Sequence, residues 1–398
     1  MTQSNPRPAK RAFVSTLLAL GASVAFGSEA PRLEIPISKG LTDDQVSAIQ
    51  SLDGAISAAQ PESAVPGMSL VLVSAEGPLW AKAYGVADAD TDRPVTLDTP
   101  FGIGSISKTF IGAALMTEIE GGRVTLDHNI NDVLPFEIRN PRVDGPPIQV
   151  RHIVTHTSGI QDHPKTYGGS YADGDPDPDF GAWLKSYLTP GGEHYSARGN
   201  FLKAAPGTRQ EYSNIGATVG ALVVEHVSGT PYRRVVEKRI FEPLGMGNTG
   251  FMIADFPADT IATPHQGRKQ KTLDLFGYPT YPDGMIRSSA LDLANYLQML
   301  LDGGRFAGRR ILKEGSVETL LAEVPTEADG KPYGVYWVTD EHRAAKHSGG
   351  DPGIVAFVGL NRDRGVAFAL LFNSDEIEAL FKTLREPLQK ALESFPLP

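Results

Sequence analysis

The sequence predicts an α+β protein whose one antiparallel sheet is built from both ends of the chain. Strand-like apolar segments occur at residues 67–87 and again at 333–372, while helix-period segments joined by long loops lie between them. Because a sheet must bury its apolar faces against another layer, we expect helices to flank it. The middle of the chain is then predicted to form an all-helical lobe, with a cleft where the two parts meet.

The chain length and the first residues predict one large exported domain. The chain has 398 residues, enough for a single two-part domain with a substantial core. Residues 1–30 combine basic residues, a short apolar run and small residues, which is the pattern of a signal peptide, with an uncleaved anchor as the alternative. We expect residues 31–398 to be the mature periplasmic or secreted domain. Its α/β part is predicted at about 40–98 and 330–398, and the helical lobe at about 99–329.

The N-terminal third is predicted to form two helices and one hairpin. Residues 41–59 repeat apolar side chains at helical spacing, and Thr42 or Asp43 begins that helix as a cap. The segments 67–74 and 78–87 are apolar and rich in strand-forming residues, so they predict a hairpin around a short turn. A second helix is expected over the residues 109–121, where glycines end it.

The middle of the chain is predicted to contain helices at residues 217–227, 232–241 and 291–301. The segment 160–200 is rich in Gly, Pro and Asp, so it is expected to be a long loop that helps to shape a substrate site. Four aspartates lie there at alternate positions, but a calcium loop also needs a turn glycine and a late glutamate, which are missing. We therefore expect a solvated loop at Asp173, Asp175, Asp177 and Asp179.

The C-terminal part returns to strands and ends in a helix. Apolar, strand-like segments predict four strands, at residues 333–338, 344–347, 354–360 and 366–372. The polar segment 361–365 supplies the turn between the last two strands. Residues 377–392 have the period of an amphipathic helix, which closes the fold.

Composition excludes several classes of function. The net charge of −10 argues against nucleic-acid binding, which needs a basic surface. The chain has no cysteine, so thiolate chemistry is excluded. His152 and His156 lie four residues apart, but no glutamate separates them as in a zinc-hydrolase motif. We therefore expect no metal, no cofactor and no membrane contact beyond the signal peptide, with a small-molecule ester, amide or peptide as the partner.

Ser105 and Lys108 are the first candidate catalytic residues. They form the only Ser-x-x-Lys pair in the chain, and a glycine-rich stretch precedes a predicted helix there. Positions i and i+3 share one helix face, so the hydroxyl and the amine are expected side by side. A serine becomes nucleophilic beside a base or a cation, and burial can lower the pKa of a lysine enough for it to accept a proton. The alternative is an ordinary serine cap with a surface lysine.

Tyr212 and Asn214 form the second candidate motif, the only Tyr-x-Asn in the chain. A tyrosine near a cationic lysine can act as a general base or a proton relay. Asn214 can hydrogen-bond both a lysine and a substrate amide. The structural alternative is a half-buried tyrosine followed by a helix cap.

His347, Ser348, Gly349 and Gly350 form the third candidate motif, at the end of a predicted strand. The histidine offers a donor or a positive charge to a carboxylate, and the glycines let a substrate lie against the strand edge. The Gly350 N–H and the Ser105 N–H are expected to form an oxyanion hole. His265 also begins a His-x-Gly pattern, but it lacks the surrounding strand and glycines.

Together the three motifs resemble the serine β-lactamase-like family, which includes class C β-lactamases, penicillin-binding D-alanyl-D-alanine peptidases and related esterases. The order Ser-x-x-Lys, Tyr-x-Asn, Lys or His with Ser or Thr and Gly is shared, and residues 156–159 are similar to the family segment His-Thr-Ser-Gly. The resemblance covers residues 40–395 and implies an α/β domain with a helical lobe.

The resemblance implies a role for each motif residue. Ser105 is the expected nucleophile, Lys108 its base or electrostatic activator, and Tyr212 the proton relay that also activates the deacylating water. Asn214 is expected to position the substrate, and the segment from His347 to Gly350 to bind it. No glutamate matches the deacylation base of class A enzymes, so that task falls to Tyr212.

The motif at His347 departs from the Lys-Thr-Gly that is usual in class C β-lactamases. A histidine is only partly charged near neutral pH, so a permanent cation for a β-lactam carboxylate is missing. We therefore expect an esterase or a D-amino-acid peptidase with an acyl-enzyme on Ser105. The alternatives are a class C-like β-lactamase and a penicillin-binding sensor that acylates without turnover.

Overall fold

The computed structural model describes residues 31–340 and 343–397; the predicted signal peptide at residues 1–30 lies outside them. The α-helices are α1 Asp43–Ala59, α2 Ser107–Glu120, α3 Val150–Val154, α4 Pro164–Gly168, α5 Phe180–Leu188, α6 Asn214–Ser228, α7 Tyr232–Val236, α8 Ala290–Leu301, α9 Glu314–Leu321 and α10 Glu378–Glu393. Short 3₁₀ turns lie at Gly104–Ile106, Ile130–Asp132, Ile253–Asp255 and Tyr281–Asp283.

The strands fall into one large sheet and several two-residue ladders. The strands of the large sheet are β1 Glu34–Ile35, β2 Gly67–Ser74, β3 Gly77–Asp88, β4 Arg93–Pro94, β13 Val338–Thr339, β14 Ala344–Asp351, β15 Ile354–Asn361 and β16 Val366–Phe372. The short ladders use β5 Phe101–Gly102, β6 Ala172–Asp173, β7 His265–Gln266, β8 Lys271–Thr272, β9 Phe276–Gly277, β10 Arg287–Ser288, β11 Arg305–Phe306 and β12 Arg309–Arg310.

The large sheet has the order β1-β3-β2-β16-β15-β14-β13, with β4 also paired to β3. All of these pairings are antiparallel. The last long strand, β16, pairs with β2, so the two ends of the chain meet in the centre of the sheet. This confirms the predicted α+β fold with a sheet made from both termini.

Side chains alternate across the sheet and fill a core on each face. Along β2, Met68 and Leu70 point into the core beneath α1 and α10, whereas Val71 and Val73 point into the larger core beneath α2, α6 and α8. Successive residues of a strand face opposite sides, so a central strand covered twice must be apolar throughout. Every residue of β2 is buried, as this arrangement requires.

The two terminal helices cover one face because each has one apolar stripe. In α1, Ile49, Leu52 and Ile56 are fully buried, while polar residues occupy the outer side. Thr42 caps this helix: its hydroxyl accepts from Gln45 N at 3.3 Å, and the Gln45 side chain accepts from Thr42 N at 2.9 Å. In α10 the stripe includes Leu384, which is fully buried.

The segment 160–200 is not one long loop, and this prediction was wrong. It contains α4, α5 and the short strand β6. Asp179 begins α5 by accepting a hydrogen bond from Ala182 N at 3.0 Å, and Leu184 and Tyr187 bury its apolar side. The cap and the apolar spacing were present in the sequence, but the Gly, Pro and Asp before them concealed the helix.

One further element prediction needs correction. The strand predicted at residues 333–338 is mostly a turn, and only Val338 begins a strand. Tyr336 has a positive φ of 63° and is fully buried. Its hydroxyl donates a hydrogen bond to Ala217 O at 3.3 Å. Burial of these aromatic side chains outweighs their strand preference. The helix predicted at 232–241 is confirmed: it consists of α7 followed directly by a π-helical turn, Glu237–Phe241.

Helix α8 packs against β2 and β16 of the sheet, although it lies within the range predicted for the helical lobe. The lobe boundaries therefore stay a prediction. Within the described residues, no helix is both long and apolar enough to span a bilayer.

Candidate active site

Ser105 lies in the tight 3₁₀ turn that leads directly into α2. Gly104 precedes it with a φ of +49°, a left-handed conformation that favours glycine. A Cβ on Gly104 would lie 2.7 Å from Gly350 N, and one on Gly349 would lie 1.8 Å from Ile103 O. There is no room for a side chain at either position, and the two glycines therefore allow the Ser105 turn to lie directly against β14.

Lys108 is fully buried one helical turn after Ser105. Its Nζ donates to Ser105 Oγ at 3.0 Å and to the backbone oxygen of Asp283 at 2.7 Å. The Asp283 carboxylate lies 3.9 Å from the same nitrogen. Burial lowers the pKa of Lys108, but the opposing influence of Tyr212 and Asp283 is larger and raises the pKa above its ordinary value. Lys108 is therefore a cation, contrary to the expected lowering.

Asp283 is a site residue that the sequence did not reveal. Its carboxylate accepts from Tyr167 Oη at 3.0 Å and from Thr218 Oγ1 at 2.9 Å, and it is 1% exposed. It thereby provides Lys108 with a buried counter-charge that is itself held from two directions. A single aspartate in a loop carries no local pattern that would have indicated this role.

Tyr212 lies on the other side of Lys108, with its ring centroid 5.1 Å from Nζ. The side chain is 40% exposed, so the phenol reaches the open part of the site. Its ring also packs against the buried ring of His156, at a centroid distance of 4.3 Å. His156 Nδ1 accepts from Ser213 N at 3.3 Å, so His156 contacts both Tyr212 and its neighbour.

Asn214 is the first residue of α6, and its side chain contacts Asp162 rather than Lys108. One carboxylate oxygen of Asp162 accepts from Asn214 N at 2.9 Å and from Asn214 Nδ2 at 2.8 Å. The other accepts from Ser213 Oγ at 2.8 Å and Ile215 N at 3.0 Å. A carboxylate is favoured at a helix N-terminus, where backbone N–H groups lack partners. Asp162 therefore fixes the Tyr212–Asn214 turn, and sequence reasoning missed it.

Strand β14 brings the third motif to the same place. The short strand β13 pairs only with Ala345 and Lys346, so residues 347–351 have one described strand neighbour, β15. Ser348 and Gly350 are exposed along this free edge. The edge leaves backbone groups available to an extended ligand.

His347 is 7% exposed and lies on the face of β14 that points to Lys108 and His156. Its Nδ1 lies 2.8 Å from the backbone oxygen of Ser348. Burial, together with the Lys108 charge, lowers the pKa of His347 to about 4. The ring is consequently neutral near pH 7, so it lacks the positive charge that the sequence analysis offered to a carboxylate.

Beside these motifs lies an aromatic and acidic cluster. Tyr171 Oη donates to one Asp351 oxygen at 2.6 Å, and the ring of Tyr171 packs 4.5 Å from that of Tyr278. Burial raises the pKa of Asp351 to about 7. The cluster joins the 160–200 segment to the end of β14, so this segment contributes to the wall of the site.

The remaining candidates lie elsewhere in the fold. His265 Nδ1 lies 3.1 Å from Asn373 O, and His265 N donates to the same oxygen, so this histidine is bound to the end of β16. Three aspartates of the alternating run accept backbone N–H groups: Asp175 from Ile253 and Ala254, Asp177 from Asp179, and Asp179 from Ala182. Among the described residues, no group of three His, Asp or Glu side chains is arranged to hold a metal ion.

Comparison with known proteins identifies the family of this chain. The profile of the Beta-lactamase family matches residues 52–392. This chain belongs to the Beta-lactamase family. Its relatives include esterase EstB of Burkholderia gladioli, which is 30% identical over 57% of this chain and 57% of the esterase. The D-alanyl-D-alanine-carboxypeptidase/endopeptidase AmpH of Escherichia coli K12 is 24% identical over 78% of this chain and 80% of AmpH.

Solved structures with the same fold include a class C beta-lactamase, with a TM-score of 0.68 and 18% identity over 88% of this chain and 98% of that protein. EstCE1, described as a hydrolase with promiscuous acyltransferase activity, has a TM-score of 0.67 and 20% identity over 87% of this chain and 100% of EstCE1. The family match and these relatives identify the chain as a β-lactamase-family hydrolase.

Proposed function

We propose that this family member is an exported serine hydrolase that forms an acyl-enzyme on Ser105 and cleaves an ester or an amide. The observation that carries the proposal is the 3.0 Å hydrogen bond from Lys108 Nζ to Ser105 Oγ, made by a lysine whose charge is matched by buried Asp283. A fixed cation beside a hydroxyl stabilises the negative charge that develops when the hydroxyl attacks.

The proposed steps use Ser105, Tyr212 and two backbone N–H groups. Ser105 Oγ attacks the substrate carbonyl carbon, and its proton passes through the Tyr212 hydroxyl to the leaving alcohol or amine. The N–H groups of Ser105 and Gly350 donate hydrogen bonds to the oxyanion, since the Ser105 turn and strand β14 approach each other closely at Gly104. Water then attacks the acyl-enzyme, and the same relay returns a proton to Ser105 as the acid leaves.

In this mechanism Lys108 acts through its charge rather than as the proton acceptor. A lysine with a raised pKa is protonated near pH 7 and cannot take a proton from Ser105. That leaves Tyr212 as the group that moves protons, and its 40% exposure gives it access to the leaving group and to water. Asn214, bound to Asp162, supports the relay by fixing the backbone beside Tyr212.

An esterase or D-amino-acid peptidase fits the site better than a class C-like β-lactamase. The neutral His347 supplies no cation for a β-lactam carboxylate. EstB and AmpH are named as an esterase and as a D-alanyl-D-alanine-carboxypeptidase/endopeptidase, respectively, which is consistent with either choice. Export is proposed from the pattern of residues 1–30. We expect an intact-mass measurement of the protein from the exporting cell to show a chain shorter by about 30 residues.

The deciding experiment is a turnover panel on the wild-type protein and its Ser105→Ala variant. The substrates are a short-chain nitrophenyl ester, a chromogenic cephalosporin and a D-alanyl-D-alanine peptide. We expect ester or peptide turnover, and a loss of about 10³-fold or more in the variant, because the nucleophile is removed. Equal rates in both proteins would exclude Ser105 as the nucleophile. Labelling of Ser105 without turnover would indicate a penicillin-binding sensor.

A further inference from the structure

The hydrogen bond of His347 to its own strand determines what this histidine offers to a ligand. Nδ1 lies 2.8 Å from Ser348 O, and a carbonyl oxygen only accepts hydrogen bonds, so Nδ1 carries the proton. A neutral imidazole with a protonated Nδ1 has a lone pair on Nε2. Among the described residues Nε2 has no hydrogen-bond partner, and it is not sealed from solvent.

We propose that His347 meets the substrate as a hydrogen-bond acceptor, so that the enzyme selects esters and amides carrying an N–H or O–H donor, not a carboxylate, at this subsite. This proposal rests on the proposed serine-hydrolase function and narrows its substrate class: within the turnover panel it favours the neutral ester over the D-alanyl-D-alanine peptide, whose terminal carboxylate would meet this subsite. It replaces the carboxylate-binding role that the sequence analysis assigned to His347.

The charges around His347 favour the neutral ring. Lys108 approaches from α2, and because a second positive charge beside it is unfavourable, it opposes protonation of His347. His156 packs nearby, and burial and the same lysine hold its pKa well below the ordinary range, so it adds no charge. The burial of His347, which is 7% exposed, acts in the same direction.

Other cations near the subsite are not free to bind a carboxylate. Lys108 is fully buried and already faces Asp283 at 3.9 Å. Lys346 precedes His347 on β14, but neighbouring residues of a strand point to opposite faces, and Lys346 is exposed where His347 is buried. The same strand ends in an acid, Asp351, which binds Tyr171. Arg287, which lies near Asp351, is buried and donates to the backbone oxygens of Phe251, Met285 and Phe276. Among the cations considered in the described part of the chain, none is therefore free to pair with a carboxylate that faces the Nε2 lone pair.

Two ligands that differ only in their terminal group, a carboxylate in one and a neutral amide in the other, provide the test. N-acyl-D-alanyl-D-lactate has a terminal carboxylate, and its D-lactamide has the same ester bond with an N–H donor instead. The affinities of the Ser105→Ala protein for both ligands, measured by calorimetry, separate recognition from chemistry. We expect the amide to bind at least tenfold more tightly at pH 7. Equal or tighter binding of the carboxylate, or no binding of either ligand, would overturn the proposal.

Substitution of His347 then links the preference to this residue. In the Ser105→Ala background, His347→Lys should shift the affinity ratio at least tenfold towards the carboxylate, because a permanent cation replaces an acceptor. His347→Gln is neutral and should still favour the amide, which controls for disturbed packing. An unchanged ratio in His347→Lys would contradict the proposal. Wild-type turnover of the amide that Ser105→Ala abolishes reports separately on the proposed function.

Discussion

The Ser105 turn and the Tyr212 turn lie on two sides of Lys108, but they are held in place by different kinds of contact. The Ser105 turn continues directly into α2, and part of its support is local, such as the hydrogen bond from Thr109 Oγ1 to Ile106 O at 2.8 Å. Its distant support comes from later in the chain: Ile103 N donates to Ile286 O at 3.0 Å, and Ser107 Oγ accepts from Ile286 N at 3.1 Å. The Tyr212 turn depends on residues about fifty positions earlier. Asp162 accepts four hydrogen bonds from it, and His156 packs against its ring.

This difference indicates that the segment 156–162 supports the candidate site although it contributes no proposed reacting group. The proposed nucleophile and its lysine are spaced by the geometry of one helix start. The proposed proton relay is positioned only when a separate part of the chain has folded against it. Substitutions remote in sequence from Tyr212 are therefore expected to reduce activity more than substitutions next to Ser105.

Among substitutions that leave Ser105, Lys108 and Tyr212 in place, the largest effect is expected from Asp162→Ala. The variant removes the acceptor for N–H groups at the start of α6 and frees the turn that carries Tyr212. Because a misplaced catalytic group can cost about 10²-fold, we expect kcat/KM to fall by about that factor. The free energy of unfolding should also fall by about 2–3 kcal/mol, as for loss of hydrogen bonds to a charged group. Steady-state kinetics and thermal denaturation measure the two effects.

Asp177→Ala is the matched control for Asp162→Ala. Like Asp162, Asp177 lies in the segment 160–200. It accepts one exposed backbone hydrogen bond, from Asp179 N at 2.9 Å. Its removal should leave kcat/KM within about twofold, since exposed surface changes cost little. If Asp162→Ala behaved like this control, the Tyr212 turn would not need its distant support.

The difference between local contacts and contacts distant in sequence also decides how much of the molecule could be predicted from sequence. The central strands were predictable, because a strand such as β2 that is buried on both faces is mostly apolar. Contact between Ser105 and Lys108 followed from helical spacing alone. Elements were misassigned where tertiary packing decides: Tyr336 forms a buried turn in a strand-like sequence, and α5 follows a loop-like composition.

The missed site residues were acids that act across long distances. Asp162 lies outside the helices and strands, and Asp283 ends a 3₁₀ turn. Neither has a neighbour at helical or strand spacing that would indicate its partner. Their roles appear only when α2, α6 and the 3₁₀ turn Tyr281–Asp283 come together. The order of the three motifs could be recognised from the family resemblance, but the charge of His347 could not, because it depends on burial and on Lys108.

An intermediate effect is expected from His156→Asn. Asparagine tolerates the positive φ of 58° found at this position, but it lacks the ring that packs against Tyr212. We expect kcat to fall about tenfold with KM nearly unchanged, since the relay is disturbed while substrate contacts remain. A merely structural role would lower the amount of folded protein without this separation of kcat from KM.

His152→Asn is the matched control for this substitution. His152 lies in α3, and its Nδ1 accepts from Gln149 N at 3.0 Å. Both kinetic constants should stay within about twofold of wild type, because its hydrogen-bond partner lies at the start of α3. Equal losses of kcat in His156→Asn and His152→Asn would mean that these two histidines matter only for folding.

The smallest effect on activity is expected from Thr109→Val, on the side of the nucleophile. Valine keeps the branched shape, while the hydrogen bond from Thr109 Oγ1 to Ile106 O at 2.8 Å is lost. We expect the free energy of unfolding to fall by about 1 kcal/mol and kcat/KM to change by less than about threefold. The start of α2 should keep its shape, because Ile106 N still donates to Ile103 O and the helix continues beyond it. A loss as large as that of Asp162→Ala would mean that the Ser105 turn is no more self-sufficient than the Tyr212 turn.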